Sequence, residues 1–245
     1  MPILEARHVT KSYRLDHRVI TVLDDVSFTA ATGELICMLG PSGCGKSTLL
    51  KILSGFLPAD AGTVRLNGAP VLKPGPDRCV VFQEDALFPW LTVAENIAFG
   101  LGPGFLRRRH IRREVDRFLD LVGMASFRNY LPREISGGMK QRVALARVLI
   151  LKPKVLLMDE PFASLDAQAR EEMQNLLLHL WAALSHTILF VTHDVAEAAT
   201  LADRILVMGK DPGRIVAEIP VDLPRPRQRE NAGFYRFCRQ LYEQL

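Results

Sequence analysis

The sequence predicts an α/β fold: a mixed sheet with flanking helices and an antiparallel β part, carrying an inserted helical lobe. Three observations predict it. Short apolar runs at Leu35–Leu39, Val155–Met158, Ile188–Val191 and Ile205–Met208 have the length and continuity of strands buried on both faces. Helical patterns alternate with these runs, which suggests parallel strands joined by crossover helices. The stretch from roughly 84 to 150 has a different texture, helical and without a clear strand.

In chain order, Leu35-Ile-Cys-Met-Leu39 ends in a glycine-rich turn, and Leu49, Leu50, Ile52 and Leu53 follow at helical spacing. Thr63-Val-Arg-Leu66 precedes Asn67-Gly68, a strong hairpin-turn signal. In the lobe, Ile111, Val115, Phe118 and Val122 share one helical face, with arginines on the other. Leu176, Leu180 and Leu184 keep a helical period, and Thr187-Ile-Leu-Phe-Val191 then reads as a buried strand. Leu223-Pro-Arg-Pro-Arg-Gln-Arg229 reads as a proline-punctuated basic linker. Phe234, Phe237, Cys238, Leu241 and Leu245 mark an amphipathic helix, either core packing or a small dimer contact. The expected organisation is a core of residues 1–83 and 151–222, an inserted lobe of 84–150, and a linker with terminal helix at 223–245.

The 245 residues suffice for one large domain, or one domain with an inserted lobe. With 48% apolar residues the core needs no metal or disulfide staple. The net charge of +4 permits an anionic partner without demanding one. The 4 cysteines form no CxxC pair, which argues against a zinc site or disulfide framework and fits a reducing compartment. The opening MPILEARHV lacks the apolar run of a signal peptide. Met173 to His193 is uncharged, and a membrane span needs about 20 mostly apolar residues. Polar residues such as Gln174, Asn175 and Ser185 interrupt it, so no span is expected.

Gly40-Pro-Ser-Gly-Cys-Gly-Lys-Ser47 fits G-x-x-x-x-G-K-[ST] in full, with an apolar strand before it and a helical pattern after it. The candidate phosphate-binding set is Gly40, Pro41, Ser42, Gly43, Cys44, Gly45, Lys46, Ser47 and Thr48. Gly43 and Gly45 let the backbone curl so that successive N–H groups face phosphate oxygens. Lys46 brings a mobile charge to the β and γ phosphates, and Ser47 offers a hydroxyl to Mg²⁺. Cys44 serves as a small spacer.

Asp159-Glu160 follows the apolar run, at the carboxyl end of a buried strand, where ligand sites gather in α/β sheets. One carboxylate can hold Mg²⁺ through water and the other can polarise an attacking water. Alone, the pair reads equally well as a solvated strand end. Ser136-Gly-Gly-Met139 can cap a helix and expose backbone N–H groups, either as a plain cap or as a second anion site.

These motifs together resemble the ATP-binding cassette ATPases over nearly the whole chain. They stand in family order: the phosphate loop at 40–47, Gln83 in Val-Phe-Gln, the signature at 135–139, Asp159-Glu160, Ser164-Leu165-Asp166, and His193 in Val-Thr-His-Asp. One departure is visible: the usual LSGGQ reads Ile135-Ser-Gly-Gly-Met139, with Gln141 two positions later. The resemblance implies a P-loop NTPase core that hydrolyses ATP with Mg²⁺. It implies that Tyr13, just after the first strand, stacks on adenine. Gln83 would touch Mg²⁺ or water and report nucleotide state to the lobe. Ser47, Gln83 and Asp159 would serve the metal, Glu160 would be the general base, and His193 would contact the γ-phosphate. Asp166 would lie at a subunit interface. Two copies would dimerise head to tail, each ATP sandwiched between one copy's phosphate loop and the other's Ser136, Gly137 and Gly138.

What the motor drives has competing readings: a membrane transporter, or a soluble cassette acting on nucleic acid or ribosomes. A phosphate-loop kinase fits the ordered signature and His193 poorly. Nucleic-acid cassettes usually carry paired cassettes or a long coiled-coil insertion, which this chain lacks. The arginines Arg107-Arg-Arg109 and Arg112-Arg113 lie on a polar helical face, so no nucleic-acid partner is expected. Leu87, Phe88, Trp90 and Leu91 crowd the region that in the family faces a transmembrane permease, though some of them suit lobe core equally. Val81-Phe-Gln-Glu-Asp-Ala-Leu-Phe-Pro-Trp-Leu-Thr-Val93, Glu95-Asn96, Gly137-Gly-Met-Lys-Gln-Arg142, Pro212-Gly-Arg-Ile215 and Leu223-Pro-Arg-Pro-Arg227 resemble the nitrate/sulfonate/taurine importer branch. That resemblance implies a permease, an indirect solute-binding protein, and a peripheral place on the cytoplasmic face of the inner (plasma) membrane.

Overall fold

A computed structural model describes residues 2–15, 18–82, 87–102 and 109–245. The chain forms two compact units: Met1–Arg78 with Lys154–Glu160 and Ser185–Leu245, and Cys79–Pro153 with Pro161–Leu184.

The first unit holds two sheets. An antiparallel sheet has the order β2-β1-β4-β5, from β1 (Leu4–Leu15), β2 (Arg18–Ala30), β4 (Ala61–Leu66) and β5 (Ala69–Pro70). Asn67 and Gly68 join its last two strands with φ of 48° and 77°. Both are left-handed, as a two-residue type I′ hairpin requires, so the Asn-Gly signal is met.

The second sheet runs β10-β9-β3-β8-β7 within this unit. Its strands are β3 (Leu35–Leu39), β7 (Val155–Asp159), β8 (Thr187–Thr192), β9 (Arg204–Met208) and β10 (Ile215–Pro220). The strand β6 (Arg78–Val81) begins at the last residue of the unit's first segment. Pairing is parallel for β3 with β8, β3 with β9, and β7 with β8; only β10 runs antiparallel to β9. Every residue of β3 and β8 is buried, which is why these strands are unbroken apolar runs rather than alternating ones. Three helices flank the sheet: α1 (Lys46–Ser54), α6 (Val195–Leu201) and α7 (Ala232–Tyr242). Helix α1 buries Leu49, Leu50, Ile52 and Leu53, the set its spacing predicts, and stops at Gly55, whose φ of 82° caps it.

Residues 223–229 are not a free linker. The Arg227 guanidinium donates to the carbonyls of Ala202 (2.6 Å), Ala199 (2.9 Å), Thr200 (3.3 Å), Leu223 (3.1 Å) and Val221 (3.2 Å). Arg225 donates to Asp203 Oδ1 (2.5 Å) and to the Leu201 carbonyl. Two arginines thus satisfy the carbonyls at the C-terminal end of α6, where the helix dipole also favours positive charge. Burial foremost, with the neighbouring Arg225 charge, pulls the Arg227 guanidinium down to about 10. Helix α7 packs on α6 and buries Phe234 and Leu241, whereas Leu245 lies past the helix end, exposed.

The second unit is helical: α2 (Val93–Ala98), α3 (Arg109–Leu121), α4 (Gly137–Leu149) and α5 (Ala167–Leu184), with short 3₁₀ turns between α2 and α4. Helix α2 starts with a capping box: Thr92 Oγ1 accepts from the Glu95 N–H (3.3 Å) and Glu95 Oε2 accepts from the Thr92 N–H (2.8 Å). Helix α3 buries Ile111, Val115 and Phe118, while Arg112 and Arg113 are exposed. Arg107 and Arg108 lie outside the described residues. In α5 the buried stripe is Met173, Leu177 and Leu180. Of the leucines that suggested the period, Leu176 and Leu184 are only half-buried. This helix groups with the lobe, not with the core to which the sequence boundaries assign it. Ser185, with φ of 52°, separates α5 from β8 and so divides the uncharged run. Among the described residues no helix is long and apolar enough to cross a membrane.

Replacing Arg227 with Met strands the carbonyls at the end of α6. The expected cost is about 2–4 kcal/mol, read as a fall of several degrees in melting temperature by calorimetry. A melting temperature unchanged within a degree contradicts the strap.

Candidate functional site

In the first unit, β3, β7 and β8 are adjacent parallel strands, so their carboxyl ends reach one edge. Leu39 pairs with Thr192 and Asp159 with Val191, which brings the loop after β3, Asp159-Glu160 and His193 to that edge.

The loop Gly40–Gly45 leaves β3 and enters α1. Gly43 and Gly45 have φ of 82° and 100°, the left-handed region that suits glycine. Lys46 is buried, and its Nζ donates to the carbonyls of Gly40 (2.7 Å) and Pro41 (3.0 Å). Pro41, Ser42 and Ser47 are exposed, and Thr48 is half-buried. Cys44 is buried, and burial foremost pushes its thiol up despite the nearby Lys46 charge.

The polar groups form two sets of contacts, Ser47 with Asp159 and Lys46 with Glu160 and His193. Ser47 Oγ donates to Asp159 Oδ1 at 3.0 Å. Lys46 Nζ stands 3.9 Å from Glu160 Oε1. Glu160 Oε2 is 2.9 Å from His193 Nδ1. Glu160 sits at φ 44°, uncommon for a non-glycine residue, and its N–H bonds the Val191 carbonyl at 3.1 Å. Burial outweighs the Ser47 hydrogen bond at Asp159: desolvation first, then the Glu160 charge, hold its carboxyl above the usual range.

Tyr13 lies within β1 rather than after it, paired with Ile20 of β2. It is 40% exposed, enough for its ring to meet a ligand. Lys11 Nζ is 5.8 Å from its ring centroid. Gln83 lies outside the described residues.

The second unit carries the signature residues Ser136, Gly137 and Gly138. Ser136 caps α4, its Oγ accepting from the Met139 N–H at 3.3 Å. A cavity of about 400 Å³ is lined by Ser136, Gly137, Gly138, Met139, Ser164 and Asp166, among others. A Cβ at Gly137 would meet nothing within 4 Å, and one at Gly138 only Ala169 at 3.8 Å. Packing within the chain therefore does not demand glycine at either position. Asp166 Oδ1 accepts from the Ala169 N–H (2.8 Å) at the start of α5. Gln141 is buried at 4% exposure, so it does not take over the fifth signature position from Met139.

Sequence reasoning missed Asn96. It is fully buried, accepts from the Phe88 N–H (2.8 Å) and donates to the carbonyls of Leu91 (2.9 Å) and Phe88 (3.1 Å). It pins the segment that carries Phe88 and Trp90. An Asn three residues into a short helix gives no sign of this in the sequence.

A strand, glycine loop and helix, with two carboxylates at the end of a parallel strand one place beyond the adjacent β8, define a P-loop nucleoside triphosphatase. Residues 23–163 match the ABC transporter family, and the chain belongs to that family of ATPases. Its relatives include the taurine import ATP-binding protein TauB of Burkholderia pseudomallei, 49% identical over 92% of this chain and 86% of that protein. The aliphatic sulfonates import ATP-binding protein SsuB of Bacillus cereus is 41% identical over 97% of this chain and 93% of that protein. Among solved structures, the dimeric post-hydrolysis state of the ATP-binding cassette MJ0796, bound to ADP and Pi, superposes with a TM-score of 0.76. It is 29% identical and covers 90% of this chain and 100% of that one.

Because its folded-state pKa is raised, Asp159 binds its proton more tightly in the folded protein than in the unfolded chain. Stability therefore falls as pH rises from near 3.8 through the folded value. Asp159→Asn is expected to raise the melting temperature of the nucleotide-free protein by a few degrees at pH 7 and to leave it unchanged where Asp159 is protonated. A drop at pH 7 contradicts the desolvation argument.

Proposed function

We propose that this chain is the ATP-hydrolysing subunit of a membrane importer for small anions of the taurine, sulfonate or nitrate type. The observation that carries the ATPase half is the pair of contact sets, Ser47–Asp159 and Lys46–Glu160–His193, at one strand edge. The import half rests on the likeness to TauB and SsuB over most of the chain.

The loop from Gly40 to Thr48 cradles the triphosphate through backbone N–H groups and the α1 dipole. Lys46 reaches the β and γ phosphates once it exchanges loop carbonyls for phosphate oxygens. Ser47 and Asp159 suit a hard divalent cation: two oxygens 3.0 Å apart, one on a desolvated carboxylate that a cation would relieve. Gln83 joins them on the family resemblance. Bound Mg²⁺ would neutralise charge on the phosphates. Glu160 takes the proton of the attacking water, and His193, hydrogen-bonded to that carboxylate, orients it toward the γ-phosphate. Tyr13 offers an aromatic face to adenine.

A second copy supplies Ser136, Gly137 and Gly138 to the same nucleotide. Each chain then carries two anion sites because they serve different ATP molecules, and the MJ0796 dimer supports this reading. ATP closes the dimer and hydrolysis opens it, a ligand-driven two-state switch.

The segment around Trp90 meets the permease. Trp90 is 71% exposed, and its ring centroid lies 5.7 Å from that of Phe88, which itself sits 4.2 Å from that of Phe99. Leu87, Phe88 and Leu91 are half-buried, so they act as both support and surface. A solute-binding protein feeds the permease from the other side, and this subunit works on the cytoplasmic face of the membrane.

Glu160→Gln is expected to bind ATP, to slow hydrolysis by about 10²-fold or more, and to run as a dimer in size-exclusion chromatography with ATP. Hydrolysis at the wild-type rate would remove Glu160 as the base. Trp90→Glu is expected to abolish co-purification with the permease and to lower uptake of taurine, sulfonates or nitrate in reconstituted vesicles, while the isolated cassette still hydrolyses ATP. Undiminished uptake contradicts this assignment.

A further inference from the structure

The motif Pro212-Gly-Arg214 has no part in the chemistry above, yet it lies against the phosphate loop. A Cβ on Gly213 would overlap the Cys44 carbonyl oxygen outright and come within 2.8 Å of the Val22 carbonyl oxygen. Both obstacles are backbone atoms, so no side-chain rotation relieves the overlap. The Gly213 N–H donates to the Val22 carbonyl (3.0 Å), and the Gly213 carbonyl accepts from the Asp24 N–H (3.0 Å). The Arg214 guanidinium pairs with Asp24, its Nε 3.0 Å from Oδ2. The turn closes on itself through the Gly209 N–H and the Arg214 carbonyl (2.9 Å).

Two loop glycines meet the same wall. A Cβ on Gly40 would come within 2.6 Å of the Met208 carbonyl oxygen, where β9 ends and the turn begins. One on Gly45 would come within 2.7 Å of Leu23 Cδ2, and Leu23 bridges to Gly213. The phosphate loop is thus backed at Gly40, Cys44 and Gly45 by β2 and the turn between β9 and β10, with backbone atoms foremost at Gly40 and Cys44 and the Leu23 side chain foremost at Gly45.

We propose that this turn, through Gly213, is a positioning element that fixes the phosphate loop in its anion-binding shape. Gly213 touches no substrate; it acts through the Cys44 peptide, whose neighbours carry the N–H groups that face phosphate. A preorganised anion nest binds more tightly than one that must be ordered by its ligand. Displacing a positioned group by about 1 Å can cost about 10²-fold. Arg214 and Asp24 brace the turn from its exposed side. The inference rests on the reading of residues 40–48 as the nucleotide site.

The test uses the full chain with Gly213→Ala, Arg214→Ala and Arg214→Lys. Binding of a fluorescent ATP analogue is measured directly, and inorganic tripolyphosphate is measured by competition. Melting temperature and circular dichroism are recorded alongside. Gly213→Ala is expected to weaken both ligands at least tenfold while remaining folded at the assay temperature. Arg214→Ala is expected to weaken both two- to fivefold, with partial recovery in Arg214→Lys. A Gly213→Ala protein that binds both ligands within twofold of wild type overturns the proposal, whatever its melting temperature. So does one that loses the ATP analogue but keeps tripolyphosphate, since the turn would then act only on the base. Should Gly213→Ala not fold, Arg214→Ala decides: unchanged tripolyphosphate affinity overturns the proposal, and a loss recovered by lysine supports it. Wild-type protein that binds neither ligand removes the site reading itself, and the positioning role with it.

Discussion

Strand β3 is buried along its whole length between parallel neighbours β8 and β9, and the chemistry depends on that burial. A strand with no exposed residue admits no charge, so the chain places its polar groups where the strands stop. Parallel pairing makes β3, β7 and β8 stop at one edge. Lys46, Asp159-Glu160 and His193 come from distant parts of the sequence, and the sheet gathers them at one edge. The electrostatics follow from the same burial. Asp159 sits at the end of an apolar strand, and desolvation outweighs the hydrogen bond from Ser47. The same strand edge thus holds a carboxyl above its usual range and Glu160 in a left-handed backbone conformation.

Behind the site the packing is backbone on backbone. Gly40 and Gly213 each meet backbone oxygens at distances that exclude a Cβ. Farther along, Arg225 and Arg227 close the end of α6, the helix that begins just after His193. Rigid support around a strained centre is a common division between stability and activity.

The parts legible in the sequence share a short range. Buried strands show as apolar runs, the phosphate loop as a complete motif, and the β4–β5 hairpin as Asn67-Gly68. What was not legible depends on contacts between distant segments. Arg225 and Arg227 look like a solvated basic linker until the carbonyls of α6 are known. Nothing near Asn96 tells that its amide holds the loop bearing Phe88. Gly213 gives no local sign that Cys44 lies against it. Tyr13 belongs to β1 rather than following it, because antiparallel pairing with β2 carries the strand on to Leu15. In α5 the expected Leu180 is buried, but its partners on the buried stripe are Met173 and Leu177 rather than Leu176 and Leu184, a choice that only packing makes.

The phosphate loop and the Ser136 loop lie in different compact units. If the two serve different nucleotides, lesions in them must complement across copies. Lys46→Ala and Ser136→Arg proteins, each inactive alone, are mixed at equal concentration and assayed for ATP hydrolysis. The expected result is recovery of activity, because in a mixed dimer one site carries both lesions and the other carries none. A mixture as inactive as its components would contradict the shared site.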